Sequence, residues 1–100
     1  DVAVDIRKSS KFFGKHIVQD LNSESMDALW IPPGFAHGFL SLQENSKVLY
    51  KATDFYNKDS ERSILWNDED LNIDWGFDEN PIISDKDKMA LLFKMADKFE

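Results

Sequence analysis

Among the side chains of this sequence that can bind or transform a ligand are His37, Tyr50, Tyr56, Glu61, Lys86 and Asp87. His37 lies in the stretch WIPPGFAHGF and is one of only 2 histidines. Proline fixes φ and glycine permits conformations closed to other residues, so the turn before His37 is rigid and the imidazole is aimed. An imidazole titrates near neutrality and can exchange protons, although a satisfied histidine beside a turn leaves the same trace in a sequence. Tyr50 and Tyr56 fall in one strand-like run, VLYKATDFY. They share parity with Ala52 and Asp54, so both phenols can face one side of a regular strand. Read alone, they are equally a half-buried strand tyrosine and a strand-end aromatic. Glu61 sits in a charged loop, where most carboxylates are simply solvated. Ser84-Asp85-Lys86-Asp87 offers a cation beside a carboxylate, and it is also an ordinary capped helix start.

The elements that must position these groups are short. DVAVDIR alternates Val2, Val4 and Ile6 with Ala3, Asp5 and Arg7, the period of a strand. Further strands are expected at residues 16–21, 28–32, 38–43, 48–56 and 64–66. They are separated by breakers such as Ser9-Ser10 with Gly14, and the tight turn PGFAH. From Ser84 onward the pattern changes: Met89, Leu92, Ala96 and Phe99 recur at helical spacing beside Leu91 and Met95. Ser84 with Asp87 resembles a capping box with Asp in place of Glu. The expectation is an all-β domain over residues 1–83, a sandwich or barrel, with a C-terminal α-helix over 84–100 packed on it. The acidic run Asp68 to Asp70 and the Ser9-Ser10 pair imply no chemistry, and Trp66 and Trp75 are expected as core or interface anchors.

With 100 residues there is room for one small domain, and 42% hydrophobic with 31% charged residues is a globular composition. A net charge of −7 argues against nucleic acid as a partner, because phosphate backbones need a basic face. The absence of cysteine excludes disulfides and thiolate metal sites. No apolar run approaches the ~18 residues of a membrane helix, and no signal peptide opens the chain, so a cytoplasmic setting is expected. The chain begins as a strand already under way, without Met, which reads as a fragment or a chain whose first part is missing, or else as a mature N-terminal strand with its Met removed.

Pro32-x-Gly34-x-x-His37 has the spacing of the second motif of cupins, small double-stranded β-helix or jelly-roll barrels, with Ser41 where that motif places Asn. The blocks DVAVDIRKSS, LWIPPGFAHGFL, LYKATDFY, ILWNDEDLNIDW and PIISDKD, in this order from Asp1 to about Asp87, resemble the dTDP-4-dehydrorhamnose 3,5-epimerase family. The resemblance implies a cupin-type jelly roll, a homodimer, a dTDP-linked keto-sugar as ligand, and epimerisation next to a C4 ketone without metal or organic cofactor. It implies Tyr50 as the general acid that reprotonates the sugar and Asp87 as the carboxylate that orients a catalytic histidine. It further implies His37 as a substrate contact, Tyr56 as the ring stacked on thymine, Glu61 as a nucleotide contact and Lys86 as the cation on the diphosphate.

The family's general base is a histidine in an LRGLHFQ-like segment, and none of these 100 residues forms that segment. His16 lies after the first turn and does not replace it. Two other functions therefore stand beside the enzyme: a non-catalytic nucleotide-sugar-binding cupin, or truncated inactive remnant, and a metal-dependent cupin. The last needs about three protein ligands, which two histidines do not supply.

Overall fold

The computed structural model describes residues 1–100. Three strands form one antiparallel sheet: β1 (Val2–Asp5), β2 (His16–Val18) and β3 (Phe35–Gly38), in the order β2-β1-β3. Val2 lies opposite Val18 on one side and Gly38 on the other, while Ala3 lies opposite Ile17 and His37. The central strand is paired along both edges and covered on both faces. Val2, Ala3, Val4, Asp5 and Ile6 are consequently all buried, although the sequence alternates in polarity. Val2, Val4 and Ile6 point to the face where they meet Leu71. By the two-residue period of a strand, Ala3, Asp5 and Arg7 share the other face with His37 and Phe35, their cross-strand neighbours.

The sheet dominates and helix is scarce, as expected of an all-β chain, but the element boundaries differ from the sequence reading. β3 begins inside the expected turn, because Phe35 pairs with Asp5. Residues 28–32, 39–43 and 48–56 form no strand, and 64–66 contributes only the bridge Ile64–Leu91. A strand exists only where its backbone groups find partners, and these residues pair with neither outer edge of the sheet. The side chains of Val48, Leu49, Tyr50, Phe55 and Tyr56 accordingly stand exposed.

The C-terminal helix over 84–100 is also corrected. Helix α1 spans only Asp85–Lys88, capped by Ser84, whose Oγ accepts from the Asp87 amide at 3.2 Å as the capping pattern implied. Beyond Met89 the chain is drawn into extended pairing: the Leu91 carbonyl accepts from the Leu65 amide at 2.8 Å. A single 3-10 turn follows at Phe93–Met95. The Phe93 amide is fixed by Asp68 Oδ2 at 2.7 Å, and Phe99 exchanges backbone hydrogen bonds with Ile6 and Lys8. Helical periodicity is a weak preference, and these tertiary bonds override it.

The core is small. Leu71, 6% exposed, closes it against Val2, Val4 and Ile6, with Ile64, Ile73, Trp75 and Phe93 around them. Trp75 packs edge-on against Trp66 at 6.4 Å and donates its indole N–H to the Trp66 carbonyl at 2.9 Å, the anchoring role expected of this pair. Truncating a buried leucine removes transfer energy and leaves a cavity, so Leu71→Ala is expected to cost about 2–5 kcal/mol. Urea unfolding followed by tryptophan fluorescence checks this, and a loss under about 1 kcal/mol would place the core elsewhere.

Candidate functional site

Two of the six candidate residues, Tyr56 and Lys86, converge on a third, Glu61, and Lys86 does so from 25 residues away. Glu61 follows the 3-10 turn Lys58–Ser60, and Lys86 lies in the first turn of α1. The Lys86 ammonium donates to Glu61 Oε1 at 3.2 Å, and the Tyr56 hydroxyl donates to Glu61 Oε2 at 3.2 Å. Hydrogen bonding to Lys86, then to Tyr56, lowers the Glu61 pKa. The same bond to Glu61 raises Lys86. Partial desolvation, with Glu61 beside it, raises the Tyr56 phenol. The carboxylate's ionic contribution is present above its unfolded value and lost as pH falls through its lowered folded value. The ammonium's contribution is present below its unfolded value and lost as pH rises through its raised folded value. Both groups are therefore charged across neutral pH, and an anionic ligand meets a formed cation at Lys86.

Glu61, Lys86 and Asp87 line an open cleft whose floor includes Val2, Val4, Ile6 and Leu71. Its volume of about 1780 Å³ exceeds the ~300–1000 Å³ of a finished small-molecule pocket, so it is a broad half-shell. Asp87 is exposed there, and its backbone amide is spent on the Ser84 cap. No group of three or more His, Asp or Glu side chains is placed to hold a metal ion.

His37 borders the same cleft through β3, but strand parity sends its imidazole to the face opposite the Val2–Val4–Ile6 core. There Nε2 lies 2.6 Å from Asp1 Oδ1. Burial, and then the adjacent N-terminal ammonium, lower the His37 pKa. Tyr50 is 78% exposed and lines no part of the cleft. The meeting of Tyr50 and His37 on one sugar, which the roles implied by the resemblance require, is thus not found. Neither is a common facing of Tyr50 and Tyr56, because shared parity has meaning only on a strand and residues 48–56 form none.

Sequence reasoning passed over two sets of residues. Asp1 is the carboxylate partner of His37. Asp5, Arg7 and Ser10 form a network beneath the turn that carries His37: Asp5 Oδ2 receives hydrogen bonds from Arg7 Nη2 at 2.8 Å and Ser10 Oγ at 2.6 Å. In the sequence Ser10 marks only a break between strands. The available signal was Asp5 two residues before Arg7 in a strand, which places opposite charges on one face.

With this geometry in place, known proteins supply the comparison. A family model for dTDP-4-dehydrorhamnose 3,5-epimerase matches residues 1–95. A dTDP-4-dehydrorhamnose 3,5-epimerase of Salmonella typhimurium is 52% identical over 96 residues, covering 96% of this chain and 52% of that protein. One of Pseudomonas aeruginosa is 46% identical over 99 residues, covering 99% of this chain and 55% of that protein. In the crystal structure of dTDP-6-deoxy-D-glucose-3,5-epimerase RmlC from Legionella pneumophila, in complex with dTDP-4-keto-L-rhamnose, the match has a TM-score of 0.82 at 42% identity. It covers 96% of this chain and 51% of that one. The sheet and this likeness define a β-rich protein of the cupin-like class. Within that class, the chain belongs to the dTDP-4-dehydrorhamnose 3,5-epimerase family. It spans about half the length of the curated relatives it matches.

Proposed function

We propose that this chain supplies the nucleotide-binding side of an enzyme that epimerises dTDP-4-keto-6-deoxy-glucose at C3 and C5, a cytoplasmic step in dTDP-rhamnose synthesis. The convergence of Tyr56 and Lys86 on Glu61, beside a cleft that Glu61 and Lys86 line, within a member of this family, carries the reading. Protons at C3 and C5 are acidic because their removal delocalises charge into the C4 ketone as an enolate. A base takes each proton from one face, and an acid returns one on the other. In this reading Tyr50 is the acid and Asp87 orients the base histidine. His37 contacts the sugar, Tyr56 stacks on thymine, Glu61 meets the nucleoside and Lys86 holds the diphosphate. The arrangement is that of a cupin-type jelly roll working as a homodimer.

Titration calorimetry with dTDP tests the binding half of this reading. Saturable heat is expected, and Lys86→Ala is expected to weaken affinity about 10- to 100-fold, the worth of one charged hydrogen bond of ~1.5–3 kcal/mol. Absence of dTDP heat in the unsubstituted protein overturns the assignment. A second reading, nucleotide-sugar binding without turnover, is favoured by the position of Tyr50 outside the cleft. Binding of dTDP with no conversion of the keto-sugar would select it.

A further inference from the structure

The side chain of Asp5 is 1% exposed, yet it carries a carboxylate. Four hydrogen bonds satisfy it: Arg7 Nε at 2.9 Å and the Arg7 amide at 3.0 Å on Oδ1, Arg7 Nη2 at 2.8 Å and Ser10 Oγ at 2.6 Å on Oδ2. The Arg7 interaction is a fork, which fixes the guanidinium plane as well as its position. The arginine is in turn packed under the stiff turn. Its guanidinium carbon lies 5.0 Å from the centre of the Phe35 ring. A Cβ on Gly34 would come within 2.6 Å of its Cγ and Cδ, so the Gly34 backbone rests directly on the arginine stem. The Gly34 carbonyl also accepts from the Ile6 amide at 3.0 Å.

These contacts lie on the face of the sheet that holds His37. Asp5 pairs with Phe35 and Ala3 with His37, so Asp1, Ala3, Asp5 and Arg7 of one chain segment share a face with Phe35 and His37 of the other. Displacing Phe35 moves the strand on which the imidazole sits two residues later.

We propose that Arg7, locked by Asp5 and Ser10, is a positioning residue that seats the Gly34–Phe35 turn and thereby sets the orientation of the His37 imidazole. The functional assignment of His37 rests on the reading above; the mechanical link does not. Lysine keeps the charge of arginine but has neither the fork nor the flat surface for Phe35.

The test is a proton–nitrogen NMR spectrum of the imidazoles in the ligand-free protein. With two histidines, His16→Gln assigns the signals. In Arg7→Lys the His37 ring resonances are expected to shift and its titration midpoint to move, while His16 stays in place. Asp68→Asn serves as control: it loosens another buried carboxylate, bonded to the Leu71 and Phe93 amides, and is expected to leave His37 unmoved. Unmoved His37 signals in folded Arg7→Lys overturn the proposal, as do equal shifts in the control. Should Arg7→Lys fail to fold, Ser10→Ala replaces it: a His37 shift there supports the link, and an unchanged spectrum overturns it. Calorimetry with dTDP on the same samples separates the two readings. A His37 shift without dTDP binding leaves the positioning role standing and the nucleotide-sugar assignment refuted.

Discussion

Gly34→Ala is expected to destabilise the protein by about 2–4 kcal/mol, while Gly76→Ala costs only about 1–2 kcal/mol. Both glycines have positive φ, +92° at Gly34 and +67° at Gly76, so each alanine incurs the strain of placing a Cβ in a left-handed conformation. They differ in what the new methyl meets. At Gly76 nothing lies within 4 Å, whereas at Gly34 the Arg7 stem lies at 2.6 Å. A flexible lysine or arginine end would swing aside. The Arg7 stem is not free to do so, because its fork is engaged on Asp5 and its plane is packed on Phe35. The methyl must therefore lift the turn or break the fork, and the overpacking adds to the backbone strain. Against a total stability of ~5–15 kcal/mol for a domain of this kind, the loss is large enough to read directly from a urea midpoint. Equal losses at the two glycines would show that the arginine yields without cost and that the turn is not seated on it.

How much of this was legible beforehand depends on where each residue finds its partner. DVAVDIR read correctly as a strand because its pattern is local, and His16–Val18 followed for the same reason. The Ser84 cap was legible because a side chain and an amide three residues apart suffice to make it. The helix beyond it was misjudged, since Leu91 pairs with Leu65 and Phe93 with Asp68 across a sequence gap that periodicity does not register. Residues 48–56 show the converse: strand composition is present, but the run pairs with neither outer edge of the sheet, at β2 or at β3. At the site, the types of Tyr56, Glu61 and Lys86 were legible and their junction was not, because a bond between residues 61 and 86 is a property of the fold. The Asp5–Arg7 fork shows that even a contact two residues long is missed when a charge is assumed to face water.

Tyr50→Phe, in the protein at the length of its relatives, is expected to lower kcat by about 10²–10⁴ with little effect on KM, the range for removing a general acid. The substitution deletes one hydroxyl and keeps the ring. Urea unfolding of the variant separates lost chemistry from lost stability. The reaction offers a second readout. Proton removal belongs to the base and proton return to the acid, so in deuterated water the variant should still exchange deuterium into C3 and C5 of the substrate while inversion fails. Deuterium exchange is expected to persist at a rate close to that of the unsubstituted protein. Full turnover in Tyr50→Phe would mean that another group delivers the proton, and the position of Tyr50 outside the cleft would then be its working position. Loss of both exchange and inversion, with dTDP binding intact, would place the phenol in the abstraction step, which reverses the roles assigned above.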